Sequence, residues 1–143
     1  MPERAMERMQ CEQIELLYRL QEYITDETND SIYYYRLAEM AMTPEDRAII
    51  LGFAEDEARH AANFQILYRL ISRTIPPEPV IVEPNITDFE EAIRIRILAE
   101  SGDFRKYAND YAKYNQPPIC DLFYLTSVSE GQHAMRLTLF LEN

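Results

Sequence analysis

Both histidines of the chain stand three residues after a glutamate, in Glu57-Ala58-Arg59-His60 and Glu130-Gly131-Gln132-His133. Each of those glutamates is preceded 30 residues upstream by another, Glu27 and Glu100. The two halves of the chain superimpose at an offset of 73 residues. Ile24 falls on Ile97, Glu27 on Glu100, Asp30 on Asp103, Tyr34 on Tyr107, Glu57 on Glu130 and His60 on His133. Self-similarity at one fixed period predicts a duplicated structural unit.

The unit reads as a helical hairpin. Only three glycines occur in 143 residues, as helices demand, and the prolines cluster where helices must stop. Four helices are predicted, over about 7–42, 44–73, 87–114 and 118–141. Their inner faces read, at helical spacing, Leu17, Leu20, Ile24, Glu27, Ser31, Tyr34 and Ala38; then Ile50, Phe53, Glu57, His60, Phe64, Leu67 and Ile71. The third reads Ile93, Ile97, Glu100, Phe104, Tyr107 and Tyr111, and the fourth Phe123, Thr126, Glu130, His133, Leu137 and Leu141. Thr43 can cap the second helix with Pro44 in its first turn, and Thr87-Asp88-Phe89-Glu90 has capping-box spacing. The proline-rich stretch from Thr74 to Ile86 could span roughly 43 Å when extended, enough to traverse a bundle lengthwise. The expected architecture is an all-α, antiparallel four-helix bundle with one long crossover, in a single domain over residues 1–143.

Met42 is midway between Glu27 and Glu57, and Asn115 midway between Glu100 and Glu130. In an antiparallel hairpin, residues equidistant from the turn lie at one height, here roughly 22 Å along the bundle. Residues i and i+3 share a helix face. Four carboxylates and two imidazoles therefore converge in the core. Four buried carboxylates without counter-charge would be prohibitive, and two divalent cations would neutralise them. The predicted ligands are Glu27, Glu57, His60, Glu100, Glu130 and His133, a donor set suited to iron or manganese, and less so to zinc. Gly52, Gly102 and Gly131 fall inside helices, against propensity; close helix approach or room for a small ligand would each account for them.

The net charge of −11 would repel phosphate backbones, which excludes nucleic acid as a partner. No run of apolar residues is long enough to span a membrane, and the N-terminus lacks signal-peptide patterning, so a cytoplasmic location is expected. Cys11 and Cys120 cannot form a tetrathiolate site and are expected to be small buried hydrophobes. Tyr33, Tyr35 and Tyr68 are assigned to helix edges or an oligomer contact, and the long amphipathic first helix points to a homodimer.

With these residues in view, nearly the whole chain resembles the ferritin-like di-iron superfamily, and within it the rubrerythrin-like branch. The resemblance implies that Glu27 and Glu100 bind terminally, that Glu57 and Glu130 bridge, and that His60 and His133 serve one metal each, iron being the first choice. Asp56-Glu57-Ala58-Arg59-His60 is similar to the D-E-x-R-H motif of di-iron oxygenases, which makes Asp56 an acceptor for a histidine N–H; Ser129 replaces it in the second half. Tyr34 and Tyr107 stand where the family can place a tyrosine hydroxyl near the metals, with core packing as the other reading. The extra glutamate of rubrerythrins, three residues before the helix-three ligand, is Ile97 here; Asp103 is the candidate to substitute for it, and Asp30 mirrors it.

The resemblance implies an oxidoreductase that reduces peroxide or O2, with electrons from an external donor protein, because no rubredoxin cysteines are present. Iron oxidation with storage or delivery, an oxygenase acting on an organic substrate, and a bundle merely stapled by metal stand as alternatives.

Overall fold

The computed structural model describes residues 2–141. Four helices account for most of them: α1 (Pro2–Ala38), α2 (Pro44–Ser72), α3 (Phe89–Lys113) and α4 (Ile119–Leu137), the last followed by a short 3₁₀ turn at Thr138–Phe140. No strand occurs among the described residues. α1 packs along α2 and α3 along α4, while the backbones of the two hairpins approach each other closely mainly between α2 and α4. This is the predicted four-helix bundle with its long crossover.

Helix boundaries follow local chemistry. Thr43 caps α2 by accepting from the Asp46 N–H at 3.1 Å, and Pro44 occupies the first turn. α2 ends at Arg73, a left-handed residue (φ 63°) whose N–H reaches the Arg69 carbonyl. At α3 the expectation shifts by one residue. Asp88, not Thr87, is the cap, accepting from the Glu91 N–H at 2.8 Å, because Asp88 and Glu91 repeat the capping spacing one step later. α4 stops four residues short of the expected Leu141. The Thr138 hydroxyl donates to the Met135 carbonyl at 2.6 Å, and the chain tightens into the 3₁₀ turn. At the other end α1 begins near Pro2, earlier than expected, and gives way at Ala38 to a turn.

The connection over residues 73–88 runs beside α1. Asn29 clasps it with both ends of its amide: Nδ2 donates to the Val80 carbonyl at 2.9 Å, and Oδ1 accepts from the Val82 N–H at 2.7 Å.

Two apolar clusters fill the bundle. One gathers Tyr34, Leu37, Ile50, Phe53, Ile93 and Leu137; the other gathers Leu20, Ile24, Phe64, Tyr107 and Phe123. In each helix the predicted glutamates and histidines fall between the residues of one cluster and those of the other, so a polar layer lies between two dry ones. The duplication extends to the hydrogen bonds that tie each hairpin. Ser31 on α1 donates to the Ala54 carbonyl on α2 at 2.7 Å, and Ser127 on α4 donates to the Phe104 carbonyl on α3 at 3.1 Å. These are the same two positions at the 73-residue offset, with donor and acceptor exchanged.

Several expected inner residues lie elsewhere. Phe104 and Tyr111 are 44% and 45% exposed. The inward face of α3 instead includes Ala92, Ile93, Arg96, Glu100, Tyr107 and Asp110, and Ile97 is only half-buried. The Phe104 ring sits against Gly131, where an added Cβ would come within 2.6 Å of it, so this glycine permits close approach of α3 and α4. Gly52 and Gly102 have nothing within 4 Å of that position, so close helix approach does not account for them. Leu17, Ile71 and Leu141 are half-buried. Tyr68 is buried, its hydroxyl accepting from Gln21, rather than at an edge. Cys120 is buried as expected, but Cys11 is exposed, because it sits on an N-terminal stretch of α1 whose residues all face solvent.

Candidate metal centre

One glutamate each from α1 and α3, and a glutamate with a histidine one turn later from α2 and α4, meet in the polar layer. Glu27, Glu57, Glu100 and Glu130 have no solvent exposure, and His60 and His133 are buried. The six side chains form two overlapping groups. Glu27, Glu57, His60 and Glu130 make one; Glu57, Glu100, Glu130 and His133 make the other. Within each, one ligand atom per residue lies within 4.8 Å of all the others.

Both imidazoles aim Nδ1 at the carboxylates. His60 Nδ1 is 3.2 Å from Glu130, 3.4 Å from Glu57 and 3.7 Å from Glu27. His133 Nδ1 is 3.1 Å from Glu57 and 3.7 Å from both Glu100 and Glu130. Donors that each lie about 2.1 Å from a shared ion are separated by roughly 3 to 4 Å, so the spacing suits a cation at the centre of each group.

The surroundings hold the donors in that attitude. The Tyr34 hydroxyl donates to Glu100 Oε1 and the Tyr107 hydroxyl to Glu27 Oε1, each at 2.6 Å. The two bonds are the same bond at the 73-residue offset, and each crosses from one hairpin to the other. Asp56 Oδ2 lies 2.8 Å from His133 Nε2, which turns Nδ1 inward. Asp30 and Asp103 do not join either group. Asp30 pairs with Arg96 at 3.1 Å, and Asp103 with Lys106 at 3.1 Å.

What remains is unpaired. Glu27 Oε2, Glu100 Oε2, both oxygens of Glu57 and of Glu130, and Nδ1 of each histidine are buried without any hydrogen-bond partner. Orphaned buried polar atoms are rare because each carries its full desolvation penalty. Here they all point into the two groups.

The same crowding of buried acids and bases shifts their proton affinities. Burial, reinforced by the charge of Glu27 and other carboxylates, pushes Glu57 and Glu130 well above the usual carboxylate range. Burial also opposes a charged His60, yet its contacts with Glu130 and Glu27 override this and raise it to about 10. At Glu100 burial acts upward, but His133 and the Arg96 charge outweigh it and hold the carboxyl at about 2.

Arg96 was not expected in the core. It is 7% exposed and reaches Glu100 Oε1 at 3.0 Å, the Tyr34 hydroxyl at 3.2 Å and Asp30 at 3.1 Å. Its signal in the sequence is its position four residues before Glu100, on the same helix face. A second polar group, in which Tyr23 and Arg19 both bond Asp110, has no signature in the helical spacing or the duplication.

No helix among the described residues is long and apolar enough to cross a membrane. No curated protein and no solved structure shows significant similarity to the chain. The family model described as Rubrerythrin matches residues 19–141, a stretch that contains all six converging side chains, the second half of α1 and all of α2, α3 and α4. The chain belongs to the rubrerythrin family and is a ferritin-like domain of the di-iron type.

Proposed function

We propose that the chain holds two iron ions between Glu27, Glu57, His60, Glu100, Glu130 and His133, and that it reduces peroxide or O2. One observation carries this reading: eight buried donor atoms of the two overlapping groups lack any hydrogen-bond partner. Manganese would suit the same donors, but iron is the usual metal of the family.

Iron bound there would supply the electrons that reduce the oxidant. The protein's own part is geometric and electrostatic. Glu57 and Glu130 offer both of their oxygens and belong to both groups, so they keep the two positions adjacent. Glu27 and Glu100 each have one oxygen occupied by a tyrosine hydroxyl, which leaves a single oxygen facing inward. Phe53 on one side and Phe64 and Phe123 on the other exclude bulk water from the layer. Reduction of hydrogen peroxide to two waters consumes two electrons and two protons. The two cysteines of these residues, Cys11 and Cys120, are free and cannot form a tetrathiolate electron-transfer site, and the proposed source of electrons is an external donor protein.

The test is to load the metal-free protein anaerobically with Fe(II) and follow peroxide consumption with a supplied reductant. The expected result is two irons per chain and turnover that requires them, abolished in Glu57→Ala. Two bound irons without turnover would overturn the redox reading and leave the ions as staples of the fold.

A further inference from the structure

The 73-residue offset pairs every donor in one group with its counterpart in the other, so an ideal duplication would give two equivalent cation positions. The charged residues around them break that equivalence. Arg96 corresponds at the offset to Tyr23, and Lys106 corresponds to Tyr33. Each cation lies against aromatic rings. The Arg96 guanidinium is 4.9 Å from the Tyr34 ring centre, and Lys106 Nζ is 4.7 Å from that of Tyr107. They differ in what they touch. Arg96 bonds the ligand carboxylate itself, at Glu100 Oε1. Lys106 pairs with Asp103 at 3.1 Å and Asp26 at 3.7 Å and makes no bond to Glu27. Glu27 Oε1 accepts from the neutral Tyr107 hydroxyl.

We infer that Arg96 makes the two cation positions unequal, so that the position formed by Glu27, Glu57, His60 and Glu130 fills before the one formed by Glu57, Glu100, Glu130 and His133. The inference rests on the metal-binding reading above and adds the order of loading. A guanidinium cannot shed its charge, so a metal ion at Glu100 must share that carboxylate with a permanent cation a few ångströms away. One contact acts the other way. Asp56 bonds His133 and strengthens it as a donor. Asp56 is part-exposed and also held by Arg59 at 3.1 Å, so solvent and a counter-ion screen it. Arg96 is buried and bonded directly to the ligand, where screening is weak, and its effect dominates. Asp30, paired with Arg96 at 3.1 Å, offsets part of that charge.

The experiment titrates the metal-free full chain with Mn(II), counting free ion by its paramagnetic resonance, in half-site variants. His133→Ala keeps the position at Glu27, and His60→Ala keeps the position at Glu100. His133→Ala is expected to bind one Mn(II) on the order of tenfold more tightly than His60→Ala. Arg96→Gln added to His60→Ala should close that gap, and added to His133→Ala should change little. Asp30→Asn in the His60→Ala background should weaken binding further, because Arg96 loses its counter-charge; this arm stands even if Arg96→Gln does not fold. Equal or reversed half-site affinities would overturn the loading order, and a gap insensitive to both substitutions would overturn Arg96 as its cause, while the unaltered chain still bound two ions. An unaltered chain that bound no Mn(II), Fe(II) or Zn(II) would instead overturn the metal-binding reading, and this inference with it.

Discussion

Tyr107→Phe removes one oxygen atom from the dry centre of the bundle and leaves the ring in place. That ring packs edge-on to Tyr23 at 5.0 Å and lies against Phe64 at 5.5 Å, and phenylalanine keeps both contacts. What is lost is the 2.6 Å hydrogen bond to Glu27 Oε1. Glu27 is fully buried and its other oxygen has no partner, so the substitution leaves the carboxylate with no hydrogen bond at all. A hydrogen bond to a charged group contributes about 1.5 to 3 kcal/mol. Unfolding entropy near the midpoint is about 2.1 cal/mol/K per residue, or about 0.3 kcal/mol/K for 143 residues. The metal-free variant should therefore melt about 5 to 10 °C below the parent protein. With metal bound, Glu27 Oε1 can turn to the ion, and the deficit should shrink to less than half. Thermal unfolding followed by circular dichroism, with and without saturating Mn(II), measures both. Equal deficits in the two forms, or none in the metal-free form, would refute the view that the hydroxyl supports Glu27 in place of a cation.

The pH dependence of stability should change sign with metal. Glu57 and Glu130 are raised well above 4.5 and His60 from 6.5 to about 10, so the folded metal-free chain holds these protons more tightly than the unfolded one. Their stabilisation is complete below the unfolded values and is lost as pH rises, so the metal-free melting temperature should fall between about pH 5 and about pH 9. Saturating metal displaces those protons, and over the same range its melting temperature should rise; parallel slopes would contradict this. Gly102→Ala, in open space within α3, should stabilise by about 0.5 to 1 kcal/mol in urea unfolding. Gly131→Ala should give no such gain, because Phe104 must first swing away from the new methyl group.

The convergence of the six side chains was legible because it follows from local rules. Helical period sets which residues share a face, and equal distances from a turn set which share a height. Glu27, Glu57, Glu100 and Glu130 obey both. The remaining features depend on contacts between hairpins that no local rule encodes. Arg96 next to Ile97 would be judged the more exposed of the two by polarity alone, yet it turns inward because Glu100, Tyr34 and Asp30 await it. Helical spacing from Glu100 predicts Phe104 inward. It stays half outside because the space beneath it is already taken by the backbone of Gly131. Tyr23 and Asp110 are separated by 87 positions, and nothing in either neighbourhood announces the bond between them.

Each donor group takes three members from one hairpin and one from the other. Neither half of the chain can complete a cage alone, and the backbones of the halves meet closely mainly along α2 and α4. Bound cations would thus rivet the halves together and gauge their alignment. A slip of one helical turn, about 5.4 Å, would carry the fourth donor out of reach and leave two open nests of mutually repelling acid. Occupancy would then report alignment: a bundle out of register would fail to retain ions that a correctly aligned one holds.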